Sequence, residues 1–503
     1  LLFSEYSMYN FPLIRGILDK WRGRMKQKMM IVLFVYVFIF AISYVPVKAQ
    51  VSVNLSDVIV KSLGTSGAGV SVRDSETGNI LYQFNGNIPR KPASTLKLLT
   101  GAAALSLLGE EYRYETALYI DGVVSSGTLN GNVYLKGSGD PTLQYNELLS
   151  FAKVLKNEGI TEINGNLYGD ESVFLGAQLT PGIAAEDESY YYAARTTGLV
   201  LSPDDDFDAG TIIVQITGEI EGEKPTLLLK PNAMGMTVIN NAKTVSKESR
   251  NTLSITRKYR TNEVIITGNI PVGSTKKEWV TVDDPTINTM NAMKEALINQ
   301  GIPFSKTPKI SRGTVPVNAT AIFTHHSRPL KEMFATFMKL SNNSMADIFV
   351  KTLGVKKYGV GDTQTGVRVL HEYGQSIGLN MSNWSLEDGS GMSHKNKISP
   401  NALTELLYNS REMEAYETYY DALPIGGHSD RLIGGSLRDR YTSTSTELKV
   451  FAKTGAISGV NTLAGFVKAK SGHTYIFSVM VENRAIQSIN GIDTVVSHLI
   501  NNY

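Results

Sequence analysis

The chain reads as an α/β, multidomain protein in which one domain, an antiparallel sheet with helices, is split by a large β-rich insert. Three observations lead there. After residue 50 the text runs helix, hairpin, helix. The middle third is short strands separated by Gly, Asn and Pro turns. From Ser327 helices return and are followed by long apolar strands, so strands from both ends of the chain can share one sheet. The expected divisions are a leader at 1–49, the split domain at 50–113 and 320–503, and the insert at 114–319, built as two subdomains.

At 503 residues there is room for two or three cores, and 42% hydrophobic with 19% charged residues is a folding, not a disordered, composition. The formal charge of +2 is uneven. Seven Lys/Arg against two Asp/Glu lie before residue 50, leaving −3 for the remainder, which excludes the basic face of a nucleic-acid binder. The basic head continues into "IVLFVYVFIFAISYV" and then "PVKAQ", with Val47 and Ala49 as small residues before a cleavage point. That is an export signal, so the mature chain is expected to be soluble outside the cytoplasm. A retained anchor would need a longer run than these 15 residues, and peripheral contact with a membrane is left open. The chain opens on Leu1, and Met25 is the candidate start that would leave a more usual signal length. With no cysteine there is no disulfide, no thiolate nucleophile and no Cys-bound metal.

Taken in order, "NLSDVIVKSLG" has helical spacing, while "AGVSVRD" and "NILYQFN" alternate around "SETGN" as a hairpin. The next helix starts near Pro92 and becomes nearly all apolar in "LLTGAAALSLLG", so it is expected to be buried. Within the insert, "NELLSFAKVLKNEGI" and "INTMNAMKEALINQGI" interrupt the strands with helical spacing, each ending in Gly. "LKVFAKTGAIS" and "NTLAGFVKAKSGHTYIFSVMVEN" supply the terminal strands, and "IDTVVSHLINNY" a closing helix.

Ser94 and Lys97 share one face of the Pro92 helix. A serine hydroxyl needs a base, and lysine can be one only when burial and cationic neighbours keep it neutral. The first turn of a helix also favours a developing oxyanion. Alone this pair is weak, since Ser274 and Lys277 repeat the spacing in "STKK". "MKLSNNSMAD" adds Ser341 and Asn343 between two helical segments, where the competing reading is a helix cap. Ser488 and Asn490 repeat that spacing as well. "VFAKTGAISG" adds Lys453, Thr454 and Gly455, the one Lys-Thr-Gly of the chain, whose competing reading is an exposed hairpin end. A strand edge ending in a cation, a hydroxyl and a residue without a side chain can hold a peptide carboxylate.

The order Ser-x-x-Lys, Ser-x-Asn, Lys-Thr-Gly resembles the penicillin-recognising serine enzymes, the β-lactamases and penicillin-binding proteins. The 247 residues from Ser94 to Ser341 and the 112 from there to Lys453 are similar to the type-4 (class C low-molecular-mass) penicillin-binding proteins, with an insert after the first motif. "LKGSGDPTL", "LEDGSGMSHKN" and "NTLAGFV" resemble further segments of that family, so the likeness runs from about Val51 to the end. The resemblance implies a penicillin-recognising transpeptidase/β-lactamase-like fold and a D-alanyl-D-alanine carboxypeptidase/endopeptidase acting on peptidoglycan peptides, acylated by β-lactams, without a metal or other cofactor.

It further implies Ser94 as nucleophile, Lys97 as base, Ser341 as proton relay and Asn343 as contact to the substrate amide. Lys453 would tune the field, Thr454 would bind the terminal carboxylate, and Ser94 and Ala456 N–H groups would form the oxyanion hole. Asp187, in "PGIAAEDESYYYAA", is similar to an aspartate that approaches the amino end of the substrate's diamino-acid side chain. Departures from the family pattern are Ile183 and Ala185 for two tryptophans, Ala193 within Tyr192–Ala194 for a glycine, Ala456 for a threonine, and Ser436 within "GGSLRDR" for another. The missing hydroxyl at 456 bears on carboxylate binding.

Two rivals remain, a cell-wall peptide-binding protein that keeps the fold without turnover, and a β-lactamase, which the insert disfavours. A Ser-His-Asp hydrolase lacks its G-x-S-x-G elbow in "DGSGM" and "GTSGAG". "HEYGQ" lacks the second zinc histidine, and "PDDDFD" lacks the spacing of a calcium loop.

Overall fold

A run with no polar alternation, such as "YIFSVMV", belongs in the middle of a sheet covered on both faces. The computed structural model, which describes residues 52–232, 235–482 and 487–503, puts it there. The leader expected at 1–49 lies outside the described residues. The strands are β1 (Ala68–Asp74), β2 (Ile80–Phe84), β3 (Val450–Ile457), β4 (Val460–Lys468) and β5 (Thr474–Glu482). They are arranged β3-β4-β5-β1-β2 with every neighbour antiparallel, Val70 of β1 lying opposite Val479 of β5. The two ends of the chain therefore meet in one sheet, and the fold is α/β.

Seven helices bear on this sheet and the site: α1 (Ser52–Leu63), α2 (Lys97–Leu108), α3 (Leu330–Lys339), α4 (Asn343–Tyr358), α5 (Thr363–Ser376), α6 (Pro400–Asn409) and α7 (Gln487–Asn502). Ile476 and Met480 of β5 turn to the large helical core with Leu403 and Leu407 of α6. Phe477, Val479 and Val481, one residue out of phase, are buried on the other face, where α7 packs on β4. The apolar α2 threads the helical core among Phe334, Phe337 and Phe349, so no polar face is needed on it. Each fully buried aromatic or leucine of this kind contributes about 1.5–3 kcal/mol.

The middle region has its own buried cluster, including Leu118, Leu135, Phe151, Val214, Ile266 and Met293. Its largest sheet is ordered Ile310–Arg312, Leu167–Asp170, Val133–Gly137, Glu115–Ile120, Thr320–His326. Three three-stranded sheets are centred on Thr128–Asn130, Thr211–Thr217 and Glu263–Thr267. The two helical segments read in the sequence form as Tyr145–Asn157, with a capping box between Gln144 and Glu147, and Pro285–Asn299, capped by Asp284. Chain departure and return run on neighbouring strands, Glu115–Ile120 and Thr320–His326. Tyr114 and Ser327 clasp there through Ser327 N to Tyr114 O at 2.9 Å and Tyr114 N to Ser327 Oγ at 2.8 Å. Among the described residues no helix is long and apolar enough to cross a membrane.

Candidate active site

Pro92 leads into a 3-10 turn, Ala93–Leu96, which continues directly into α2 at Lys97. Ser94 thus lies one turn before the α-helix proper, and the tighter 3-10 turn replaces the α-helical start expected from Pro92. The turn is pinned because the Pro92 carbonyl accepts from Thr95 Oγ1 at 2.6 Å and from Thr462 Oγ1 at 2.7 Å. Ala93 has φ 47, left-handed backbone that costs a non-glycine residue on the order of 1–3 kcal/mol. Ser341 carries the same strain, with φ 61, in the turn between α3 and α4.

Lys97 is fully buried, and its Nζ has three partners. It lies 2.9 Å from Ser94 Oγ and donates to Asn343 Oδ1 at 2.6 Å and to the Ser390 carbonyl at 2.8 Å. A neutral amine has two N–H donors and one lone pair. Two carbonyl acceptors use both donors, which leaves the lone pair for the Ser94 hydroxyl. Burial pushes Lys97 down from the ordinary lysine value to about 7, against the pull of Asp347 and Asp388 toward the ammonium form.

The helix-cap reading of "SNN" is correct for the middle residue. Asn342 caps α4 by accepting from Met345 N at 2.9 Å, and its Nδ2 donates to the carbonyls of Asp206 and Phe207. Asn343, the first helical residue, is freed to face Lys97, and its Nδ2 donates to Tyr192 O at 2.9 Å. Lys453, also fully buried, donates to Ser341 Oγ at 2.7 Å and to Thr454 O at 2.9 Å. Burial first, then the charge of Lys97, pushes Lys453 well below the usual lysine value.

Strand β3 forms the opposite wall. Ala452 N donates outward to Pro424 O, and the two-residue period turns the N–H groups of Thr454 and Ala456 to the same side. Gly455 packs against the turn that carries Ser94. A Cβ there would lie 2.2 Å from Thr462 Oγ1 and 2.9 Å from Ser94 N, so only glycine fits. Ser94, Asp187, Ser341, Asn343, Thr454 and Ala456 all line one cavity of about 540 Å³. Asp187 accepts from Tyr192 Oη at 2.9 Å, and Ile183 lines the same cavity.

The decoys do not assemble. Lys277 lies on the strand Thr275–Thr281, and Ser488 Oγ accepts from Asn461 Nδ2 at 2.6 Å on α7. Among the described residues no cluster of His, Asp or Glu is arranged to hold a metal ion.

Five contributors are not legible in the sequence. The carbonyls of Tyr192 and Ser390 carry no residue signature. Asp347 and Asp388 lie in "MKLSNNSMAD" and "LEDGSGMSHKN", where nothing local marks them as facing Lys97. Ser436, noted only as a departure, brings its Oγ to 2.7 Å from Thr454 Oγ1 on the cavity wall. It supplies a second hydroxyl beside the one on Thr454.

A buried lysine turned on a serine, facing the open edge of an antiparallel strand in this α/β fold, defines a serine acyl-transfer enzyme. The chain belongs to the D-Ala-D-Ala carboxypeptidase 3 (S13) family, which residues 47–500 match, and is a serine-type D-Ala-D-Ala carboxypeptidase. A D-alanyl-D-alanine carboxypeptidase from Actinomadura sp. (strain R39) is 32% identical over 422 residues, 83% of this chain and 78% of that one. The crystal structure of penicillin binding protein 4 (dacB) from Haemophilus influenzae has the same fold, with a TM-score of 0.73, 23% identity, and coverage of 89% of this chain and 98% of that one. That protein complexed with a β-lactam matches with a TM-score of 0.70 at the same identity and coverage.

Proposed function

We propose that Ser94 is the acylated nucleophile of this carboxypeptidase and that neutral Lys97 is its base. The three-partner geometry of the Lys97 amine carries this reading. Ser94 Oγ attacks the carbonyl of the penultimate D-alanine as its proton passes to Lys97 Nζ. The oxyanion is received by the N–H groups of Ser94 and Ala456. The C–N bond then breaks, and the leaving D-alanine amine takes a proton through the Ser341 hydroxyl, which Lys453 holds. Water, activated by the same lysine, hydrolyses the ester and restores the serine.

Asn343 orients both Lys97 and the substrate amide. Thr454 and Ser436, which line the cavity, receive the terminal carboxylate, buried Lys453 tunes the field behind them, and Gly455 lets the substrate strand lie close. Asp187, oriented by Tyr192, faces a cationic group on the substrate's side chain. The substrates are peptidoglycan stem peptides, and crosslinks cut as by an endopeptidase when the leaving amine belongs to a second stem. β-Lactams acylate Ser94. Export to the periplasm or another extracytoplasmic space rests on the basic, apolar and small-residue pattern before residue 50.

Intact-mass spectrometry after incubation with a labelled penicillin tests the reading. One adduct is expected on the unchanged protein and none on Ser94→Ala; an equal adduct on the variant overturns it. Rapid release of opened drug would identify a β-lactamase, and an adduct without peptide turnover a binding protein. Fragments released from purified peptidoglycan would apportion carboxypeptidase and endopeptidase action.

A further inference from the structure

We infer that Asp388 is a positioning residue for the acylation step: by pinning the loop 388–393 it holds the Ser390 carbonyl on the Lys97 amine and so aims the amine at Ser94. This rests on the Ser94–Lys97 reading above. Asp388 is wholly buried, and each of its oxygens is committed to the loop. Oδ1 accepts from Gly391 N at 2.6 Å and Oδ2 from Ser393 N at 2.7 Å. The loop is also tied to α2 one turn beyond Lys97, where Thr100 Oγ1 donates to Gly389 O at 2.7 Å.

Its tip touches the nucleophile's turn. Gly391 has φ +86, and a Cβ there would lie 1.9 Å from Ala93 O and 3.1 Å from Ser94 N. A loop this close cannot shift without moving the acceptor of Lys97 or the backbone of Ser94. Asp388 therefore governs one of the two acceptors that exhaust the amine's donors. Asn343 supplies the other from α4.

Asp388 also acts by charge. The titratable groups facing Lys97 are Asp388 from the loop, Asp347 from α4 and Lys453 from β3. Asp347 is buried beside Asp388, has Oδ1 without a hydrogen-bond partner, and is pushed up by burial and then by Asp388. Burial pushes Asp388 up as well, while the N–H groups of Ser393 and Gly391 act the other way by favouring its charged form.

The test compares Asp388→Asn and Thr100→Val with the unchanged protein, following acylation by a fluorescent penicillin from pH 5 to pH 9 beside a thermal melt. Asp388→Asn keeps the shape, loses one acceptor and removes the charge. Its plateau rate is expected to fall roughly 10- to 100-fold through misplacement of the amine. Its acid limb is expected to move to lower pH, because Lys97 loses a carboxylate that favours its ammonium form. Thr100→Val should lower the plateau without moving the limb. Both variants folded and acylating at the unchanged rate would overturn the inference. If Asp388→Asn does not fold, Thr100→Val decides: a lower rate with an intact melt supports the inference, an unchanged rate overturns it. An adduct persisting on Ser94→Ala would instead overturn the underlying reading.

Discussion

The Tyr192 carbonyl, 2.9 Å from Asn343 Nδ2, fixes which end of that amide meets Lys97. Oδ1 faces the amine at 2.6 Å only because Nδ2 is occupied elsewhere. Asn343→Asp therefore sets a carboxylate against both a carbonyl and the lysine. Lys97 should stay protonated to higher pH, moving the acid limb of penicillin acylation upward by about one unit or more and lowering the rate at pH 7 at least about tenfold. Stopped-flow acylation across pH measures both.

The unchanged enzyme should itself show an acid limb near neutrality. Lys97 acts as a base only when neutral, and burial brings it to about 7. Below that value the acylation rate should fall about tenfold per pH unit, and above it the rate should level off. A profile flat from pH 5 to pH 9 would contradict the assignment.

Ser436 and Thr454 hold their hydroxyls 2.7 Å apart, where the methyl of Ala456 offers none. Ser436→Ala should raise KM for a D-Ala-D-Ala peptide roughly 10-fold, about the value of one hydrogen bond to a charged group, with little change in kcat. Adding Ala456→Thr to that variant should recover much of the loss. A C-terminally amidated peptide, lacking the carboxylate, should respond to neither change.

Asn342 caps α4 and ties it to the Asp206 and Phe207 carbonyls, between Ser341 and Asn343 on either side. Asn342→Ala should cost about 1–2 kcal/mol of stability by urea unfolding. It should also slow acylation, because Ser341 and Asn343 lose the anchor between them.

Much of this was legible in short contiguous text. "AGVSVRD" became Ala68–Asp74 and "NELLSFAKVLKNEGI" became Tyr145–Asn157, since period and punctuation agreed in each. The three motifs could be found because their side chains are close in sequence. What could not be read is whatever acts through the backbone or through packing. Ser390 and Tyr192 contribute carbonyls that any residue would carry. Asp347 and Asp388 matter through burial beside Lys97, and burial is decided by segments more than 200 residues away. No local rule tells Asn342 from its neighbour, because capping depends on which residue the preceding strained turn leaves outside the helix.

Strand β1 lies between β2 and β5, so the central sheet closes only after residue 482 has been made. Ser94 and Lys97 belong to the first hundred residues, while Lys453 and the strand edge belong to the last hundred. A growing chain consequently carries this serine and lysine without the burial that depresses the amine and without the strand edge. Chemistry switches on in one late, non-local step, after the slowest pairings have formed. The pocket is thus a product of both halves of the split sheet, and neither half carries it alone.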